Sequence, residues 1–474
     1  MTTRKMMTIA LGLALAAPVP ASAAVTLLAE GTLSGAVDAS GLSYTLENGL
    51  PANFLGGVGS GLAYAGGNSF LGIPDRGPNA TAYNSLVDDT VSWVARFHSL
   101  TMTLTPSAPG SALPFDLGTS LDATTLLWSA SALVYGSGAG LGVPAGDWIN
   151  TPGKNYFSGR SDNYGAGLST DTSFARLDPE AIRLSPDGKS VFVSDEYGPF
   201  VRQFDRATGE LIRTFDMPDN LAISNLSPQA SVERTGNSVG RYTNSGMEGL
   251  AITPDGKTLV GVVQGALQQD RADPAAKNLL RLVTIDIASG TTKQYGYMLT
   301  AGSGVSEILA ISDTQFLVLE RDGKGLGDGS KAKIKQLYVI DIAGATDISN
   351  LSGAAAAALA VTKEATPFLD LVAALTAYGI PAELIPSKIE GIAFGQTVNV
   401  DGTLMHTLYV SDDNDFLPGT SGPNHFYVFG FTGDDLPGYA PGAVPEPATW
   451  AMLLSGFAVV GAAMRRRRLS VRFG

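Results

Sequence analysis

Carboxylates recur at a fixed place in this chain. Glu180, Glu248, Glu307 and Glu390 each stand before a short apolar run; a turn and a second run follow. The second runs close on Asp195-Glu196, Gln264, Glu320-Arg321-Asp322 and Asp412-Asp413-Asn414-Asp415, and a fainter unit starts at Ser60 and closes on Asp75-Arg76. Hard oxygens in such number select calcium, with Asp75, Asp195, Glu196, Glu320, Asp412, Asp413 and Asp415 as the expected ligands. A bound calcium polarises a phosphoryl or carbonyl oxygen and lowers the pKa of a water. Arg76 and Arg321 can grip a phosphate bidentately, with Arg202 and Lys388 nearby in the same pattern. Glu180, Glu248 and Glu390 complete the expected catalytic set. Arg76 and Arg321 read equally well as ion-pair partners for crowded carboxylates. Gln264 stands where the other units end in acid, so a ligand is missing there.

Positioning these groups requires hairpins. In Leu177 to Arg202, Ala181-Ile182-Arg183-Leu184 alternates, Pro186-Asp187-Gly188 is turn chemistry, and Val191-Phe192-Val193 is a β-branched and aromatic run. A hairpin brings the acid before its first strand and the acid after its second to the same end. Follow-on pairs such as Phe200 to Phe215 and Leu280 to Tyr297 extend each hairpin to four strands. Repeated all-β units of this size predict a β-propeller whose innermost strands line a channel. The longest interval, from Ser60 to Glu180, has room for two units, which makes about six blades, or seven. Leu351 to Leu359 and Leu369 to Tyr378 read as a short helical insertion between blades. Leu113 to Thr172, rich in Gly and Ser and carrying Trp128, Trp148, Tyr156 and Tyr164, reads as a hairpin with a long insertion near the mouth. Asp322 to Ser330 lacks the ligand alternation of an EF-hand and reads as a flexible turn.

The two ends are addresses. Residues 1–23 read as a signal peptide: Arg4-Lys5, an apolar stretch, then Ala21-Ser22-Ala23. Pro445-Glu446-Pro447, the apolar run 448–464 and Arg465 to Arg468 follow a body domain of 25–436. The apolar run is at the short limit for a transmembrane helix, and the arginines would hold its far end in the cytoplasm. The net charge is −13, and Arg4, Lys5, Arg465 to Arg468 and Arg472 all lie in the ends, so the body is more acidic still. Such a body does not suit nucleic acid. Cysteine is absent and there are only three histidines (His98, His406, His425), which argues against zinc and against disulfides. No Gly-x-Ser-x-Gly elbow occurs, so an α/β serine hydrolase is not expected.

Residues 444–474 resemble a PEP-CTERM sorting signal. The resemblance implies an exosortase partner, inner-membrane anchoring from the periplasmic side before processing, and then the outer surface or an extracellular matrix. Asp75-Arg76-Gly77-Pro78-Asn79, Asp178-Pro179-Glu180-Ala181-Ile182, Ser194-Asp195-Glu196-Tyr197-Gly198-Pro199, Gly246-Met247-Glu248-Gly249-Leu250, Lys388-Ile389-Glu390-Gly391 and Asp413-Asn414-Asp415-Phe416 resemble the phytase-like family, over residues 57 to 430. That resemblance implies a propeller related to calcium-dependent phytases and hydrolysis of a small anionic phosphate ester by metal-activated water. Two other expectations remain open: a lactonase or carboxylesterase on the same calcium-centred scaffold, and a non-catalytic propeller that binds extracellular polysaccharide.

Overall fold

The computed structural model describes residues 25 to 439 apart from Asn163. β1 (Thr26–Leu33) opens the chain. β2 (Gly61–Gly66), β3 (Ser69–Ile73), β4 (Arg96–Pro106) and β5 (Phe115–Leu126) form the first blade. A small ribbon follows, β6 (Trp128–Ser129) with β7 (Asn155–Tyr156). The second blade is β8 (Pro179–Leu184), β9 (Ser190–Asp195), β10 (Phe200–Asp205) and β11 (Leu211–Phe215). The third is β12 (Met247–Ile252), β13 (Thr258–Val263), β14 (Leu279–Asp286) and β15 (Thr292–Met298). The fourth is β16 (Gly304–Ala310), β17 (Gln315–Arg321), β18 (Lys335–Asp341) and β19 (Leu369–Asp370). The last runs β20 (Ile389–Phe394), β22 (Thr403–Asp412), β23 (Asn424–Phe431), with β21 (Val398–Val400) paired beside β22. Its outer strand is β1, paired antiparallel to β23, so the chain's beginning closes the ring onto its end.

Inner strands β2, β8, β12, β16 and β20 each pack on the next, and β20 packs back on β2. Among the described residues this is a closed propeller of five blades, each sheet four-stranded apart from the extra β21. The expectation of about six blades is corrected. The interval between Ser60 and Glu180 is filled by the long β4–β5 hairpin, the ribbon and loops, and no further blade forms there. The helical insertion is present as Gly353–Ala357 and Leu371–Ala377. Among the described residues no helix is long and apolar enough to cross a membrane. The signal peptide at 1–23, the sorting signal at 444–474 and the transmembrane segment 448–464 lie outside the described residues.

Each blade buries both faces. One cluster joins Phe192 and Val201 of the second blade to Leu250, Leu259 and Val283 of the third. Similar clusters fill every other blade interface. A fully buried Leu, Ile, Val or Phe contributes roughly 1.5–3 kcal/mol, so the apolar alternation of the strands drives the stacking. At the outer end, Gly188 and Gly256 take φ of 70° in the turns read from sequence. There Asp187 accepts from the Lys189 N–H at 3.1 Å and Asp255 from the Lys257 N–H at 3.0 Å. Toward the axis the strands approach closely: a Cβ on Gly249 would lie 2.7 Å from the Cα of Glu307.

Candidate functional site: an acidic mouth

A bulge interrupts each inner strand where the recurrent acid stands. Pairing skips from Pro179 to Ile182, from Met247 to Gly249 and from Ile389 to Ile392, so Glu180, Glu248 and Glu390 leave the ladder. A bulge re-aims the side chain it carries. Burial raises the pKa of Glu180 and Glu248, and the charges of Glu248 and Glu390 on the first and of Glu390 on the second add to it, as expected of acids sharing one mouth. In the fourth blade the skip runs from Val305 to Glu307, so Ser306 holds the bulge position and Glu307 falls one residue further along. Glu307 instead forms the floor. Its Oε1 accepts the Leu250 and Ile308 N–H groups at 2.9 and 3.0 Å, and its Oε2 lies 2.8 Å from Nη2 of Arg183. The Arg183 guanidinium also donates to the carbonyls of Leu62 and Ile308 at 2.8 and 3.1 Å, and so ties β8 to the first and fourth blades across the axis.

The strand ends supply the rest of the mouth. Ligand oxygens of Asp178, Glu180 and Glu196 lie within 4.8 Å of one another, and so do those of Asp75, Asp413 and Asp415. The second group already holds a cation: Lys388 Nζ donates to Asp413 Oδ2 and Asp415 Oδ1, both at 2.6 Å. Arg76 is paired with Asp178 and Arg321 with Glu390, and Arg321 Nε also donates to Ser306 Oγ at 2.8 Å. Glu196 has no such partner. Both its oxygens are buried without a hydrogen bond, and its nearest cation, Arg76, is 3.9 Å away. Glu248 Oε1 accepts from Gln264 at 2.7 Å while its Oε2 has no partner. The Glu196 and Glu248 carboxyls face each other, so one shared proton or one cation would satisfy both.

The electrostatics follow from that crowding. Burial, then the charge of Asp178, pushes Glu196 up to about 7 against the pull of Arg76. Burial also lifts Glu390 to about 7, although Lys388 and Arg321 oppose it. Glu180 and Glu248 are driven well above the usual carboxylate range by burial and by their acidic neighbours. Asp75 is raised by burial and by Asp413. Lys388 is held well above the ordinary lysine value: burial opposes its charge, and Asp413, Glu390 and Asp415 outweigh that.

The mouth thus gathers Asp75, Arg76, Glu180, Glu196, Glu248, Arg321, Glu390, Asp413 and Asp415 from the expected set. Asp195, Glu320 and Asp412 lie apart from this set. Asp195 is fully buried, accepts the N–H groups of Asp178 and Tyr197, and pairs with Arg202 at 3.1 Å. Glu320 faces the third blade, where Tyr297, Ser303 and Lys363 hold it. Asp412 accepts the His425 N–H inside the last blade. The cause is common to all three. Each is the residue before the one that enters the mouth (Glu196, Arg321, Asp413), and adjacent strand residues point to opposite faces. Asp178 and the floor pair were missed; Arg183, a charge within the apolar run that follows Glu180, was the available signal. In the loop after β17, Asp322 is held by Lys335, whose Nζ donates to its Oδ1 at 2.9 Å.

Fold and site together define a five-bladed β-propeller with a carboxylate-lined mouth. The chain belongs to the phytase-like family: the family model described as "Esterase-like activity of phytase" matches residues 53–416. A PEP-CTERM protein-sorting motif matches residues 443–468, beyond the described body. An uncharacterized secreted protein of Arthroderma benhamiae is 33% identical over 178 residues, 31% of this chain and 34% of that protein. The match spans about a third of that relative's length. Among solved structures, a periplasmic gluconolactonase of Pseudomonas aeruginosa is 12% identical, with 84% of this chain and 94% of that chain covered, at a TM-score of 0.31. A gluconolactonase of Xanthomonas campestris is 10% identical, covering 87% and 99%, at a TM-score of 0.28. Likenesses at these scores carry no argument about activity.

Proposed function

We propose that this protein is an exported hydrolase of small anionic phosphate esters that works with a calcium ion at the mouth. The observation that supports it is the set of buried, unpartnered oxygens on Glu196 and Glu248 beside Asp178 and Glu180. Anionic oxygens left without donors in a dry site cost stability unless a cation or proton meets them, so this donor set fits a hard divalent ion. Asp178, Glu180, Glu196 and Glu248 would hold it, Asp178 by giving up its pairing with Arg76. When bound, it supplies Lewis acidity toward a phosphoryl oxygen and acidifies a water. Asp413 and Asp415 are ligands in this reading only if Lys388 moves away, so their role is to hold Lys388. Glu390, at about 7 and flanked by Arg321 and Lys388, is suited to accept a proton from water and return it to the leaving oxygen. Arg76, Arg321 and Lys388 provide the positive edge that orients a phosphate. That edge favours a phosphate ester over a lactone or carboxylic ester, which brings no full charge to neutralise.

The sorting motif supports export, with anchoring at the inner membrane before an exosortase removes the tail, and with the cell exterior or a polysaccharide matrix as destination. The test is phosphate release from a panel of phosphate esters by the mature body, with calcium or with chelator. Release should require calcium and fall by about a hundredfold or more in Glu196→Gln and Glu390→Gln. Turnover of lactones without phosphate release would select the lactonase reading. Calcium-dependent glycan binding without any hydrolysis would select the non-catalytic one.

A further inference from the structure

The course of the strands fixes where the chain leaves the body. β20 starts at the mouth with Glu390 and runs away from it to Phe394. β22 returns, since Phe394 pairs with Leu408 and Ile389 with Asp412. β23 then descends again: Phe426 lies beside Ser411 near the mouth, and Phe431 beside His406 at the opposite end. β1 runs against it, with Thr26 beside Gly430 and Leu33 beside Asn424. Both ends of the described body, Val25 and Tyr439, therefore sit on the underside, opposite the acidic mouth.

The exit is fastened there. Leu436 is 1% exposed and packs in one cluster with Leu27, Ile311 and Phe431. The Tyr439 ring lies 4.4 Å from Phe394, 4.9 Å from His406 and 5.3 Å from Phe431 between centroids. Eight residues, 440–447, separate Tyr439 from the apolar run 448–464 within the sorting motif. Fully extended, they reach about 29 Å. A tail that brought the mouth to a bilayer would have to cross the outer strands at about 4.8 Å each and then climb a six-residue strand of about 20 Å, with the mouth loops still above it. That path uses up the whole reach. Adhesion does not orient the body, because the underside turns carry Asp187, Asp255, Asp313 and Asp401, which an anionic bilayer repels.

We propose that, while its tail is in the membrane, the body stands on its underside with the mouth turned away into the solvent. The mouth is then open to soluble ligands before the tail is removed, and removal frees the body without uncovering the mouth. This rests on the anchoring reading above and not on which ligand the mouth takes. Tail and mouth lie at opposite ends of the same strands, so the short tether alone sets the orientation.

The chain has no cysteine, so single reporters carry no background. Thr403→Cys places a fluorophore on an exposed underside turn, and Ala301→Cys places one on the exposed mouth-side turn between β15 and β16. Each full-length variant is put into vesicles that carry a lipid with a nitroxide on its headgroup. The Thr403 label should lose most of its fluorescence, and the Ala301 label at least about fivefold less, since a strand length of ~20 Å holds it further out. Iodide in the outer solution should quench the Ala301 label as strongly in vesicles as in detergent solution. A vesicle-bound protein whose Ala301 label is quenched by the lipid as much as the Thr403 label, or is shielded from iodide, overturns this orientation and leaves the anchoring reading standing. Protein that does not float with the vesicles overturns the anchoring reading, and the orientation with it.

Discussion

Glu248 shows what this mouth costs the free protein. One of its oxygens is held by Gln264, the other by nothing, and Glu196 faces it with no partner of its own. Replacing Glu248 by glutamine removes a like charge from a dry cluster. The metal-free variant should therefore be more stable than wild type above pH 7, by roughly 1–3 kcal/mol, while losing its stabilisation by calcium. The pH dependence has the same origin. Glu196 and Glu390 titrate near 7 in the folded protein against 4.5 as the ordinary value, so the native state binds more protons across that window. Their contribution is fully present below about 4.5 and lost as pH rises through about 7. His98, pushed down to about 4 by burial, acts oppositely, its contribution being lost as pH falls from 6.5, but the raised carboxyls outnumber it. Calorimetric melting in chelator should show Tm falling between pH 5 and 7.5; a rising Tm would contradict the crowding. At this scale the sequence revealed the phase of Glu180, Glu248 and Glu390. It did not reveal which of two adjacent strand-end acids enters the mouth, because alternation puts the two on opposite faces and the sequence does not say which face meets the axis.

The inner strands and their bulges decide which side chains meet. Three blades present glutamate at the bulge, and the fourth presents Ser306, whose hydroxyl accepts from Arg321. Displaced by one residue, Glu307 serves the floor with Arg183. Glu307→Ala should destabilise the fold by about 3–5 kcal/mol, since it strands a buried arginine. Calcium affinity of the folded variant should stay within about threefold of wild type, as expected for a group that is not a ligand. Urea unfolding and calcium titration of that variant check this, and a loss of calcium binding equal to that of Glu196→Gln would mean Glu307 belongs to the ligand set. The hairpins themselves were legible, since Pro-Asp-Gly turns and β-branched runs act locally. The one-residue offset in the fourth blade was not, because Glu307 keeps the same apolar run after it.

At the scale of the molecule, closure of five blades brings the inner strands so near that Gly249 leaves no room for a Cβ beside Glu307. A narrow axis is what crowds acids drawn from separate blades. The propeller class could be read from the recurring units, but the blade number could not. It was inflated by a long interval that proved to hold the ribbon and the loops around Arg176, whose polar and glycine-rich composition carries no period. Everything functional depends on whether the acids of Asp178, Glu180, Glu196 and Glu248 hold one ion together. The most direct measurement is calorimetric titration of calcium into chelator-stripped wild type and a Glu196→Gln/Glu248→Gln double variant at pH 7.5. The geometry predicts saturable binding to wild type and at least a hundredfold loss in a double variant that still melts cooperatively. Undiminished binding to that variant would contradict the cation site.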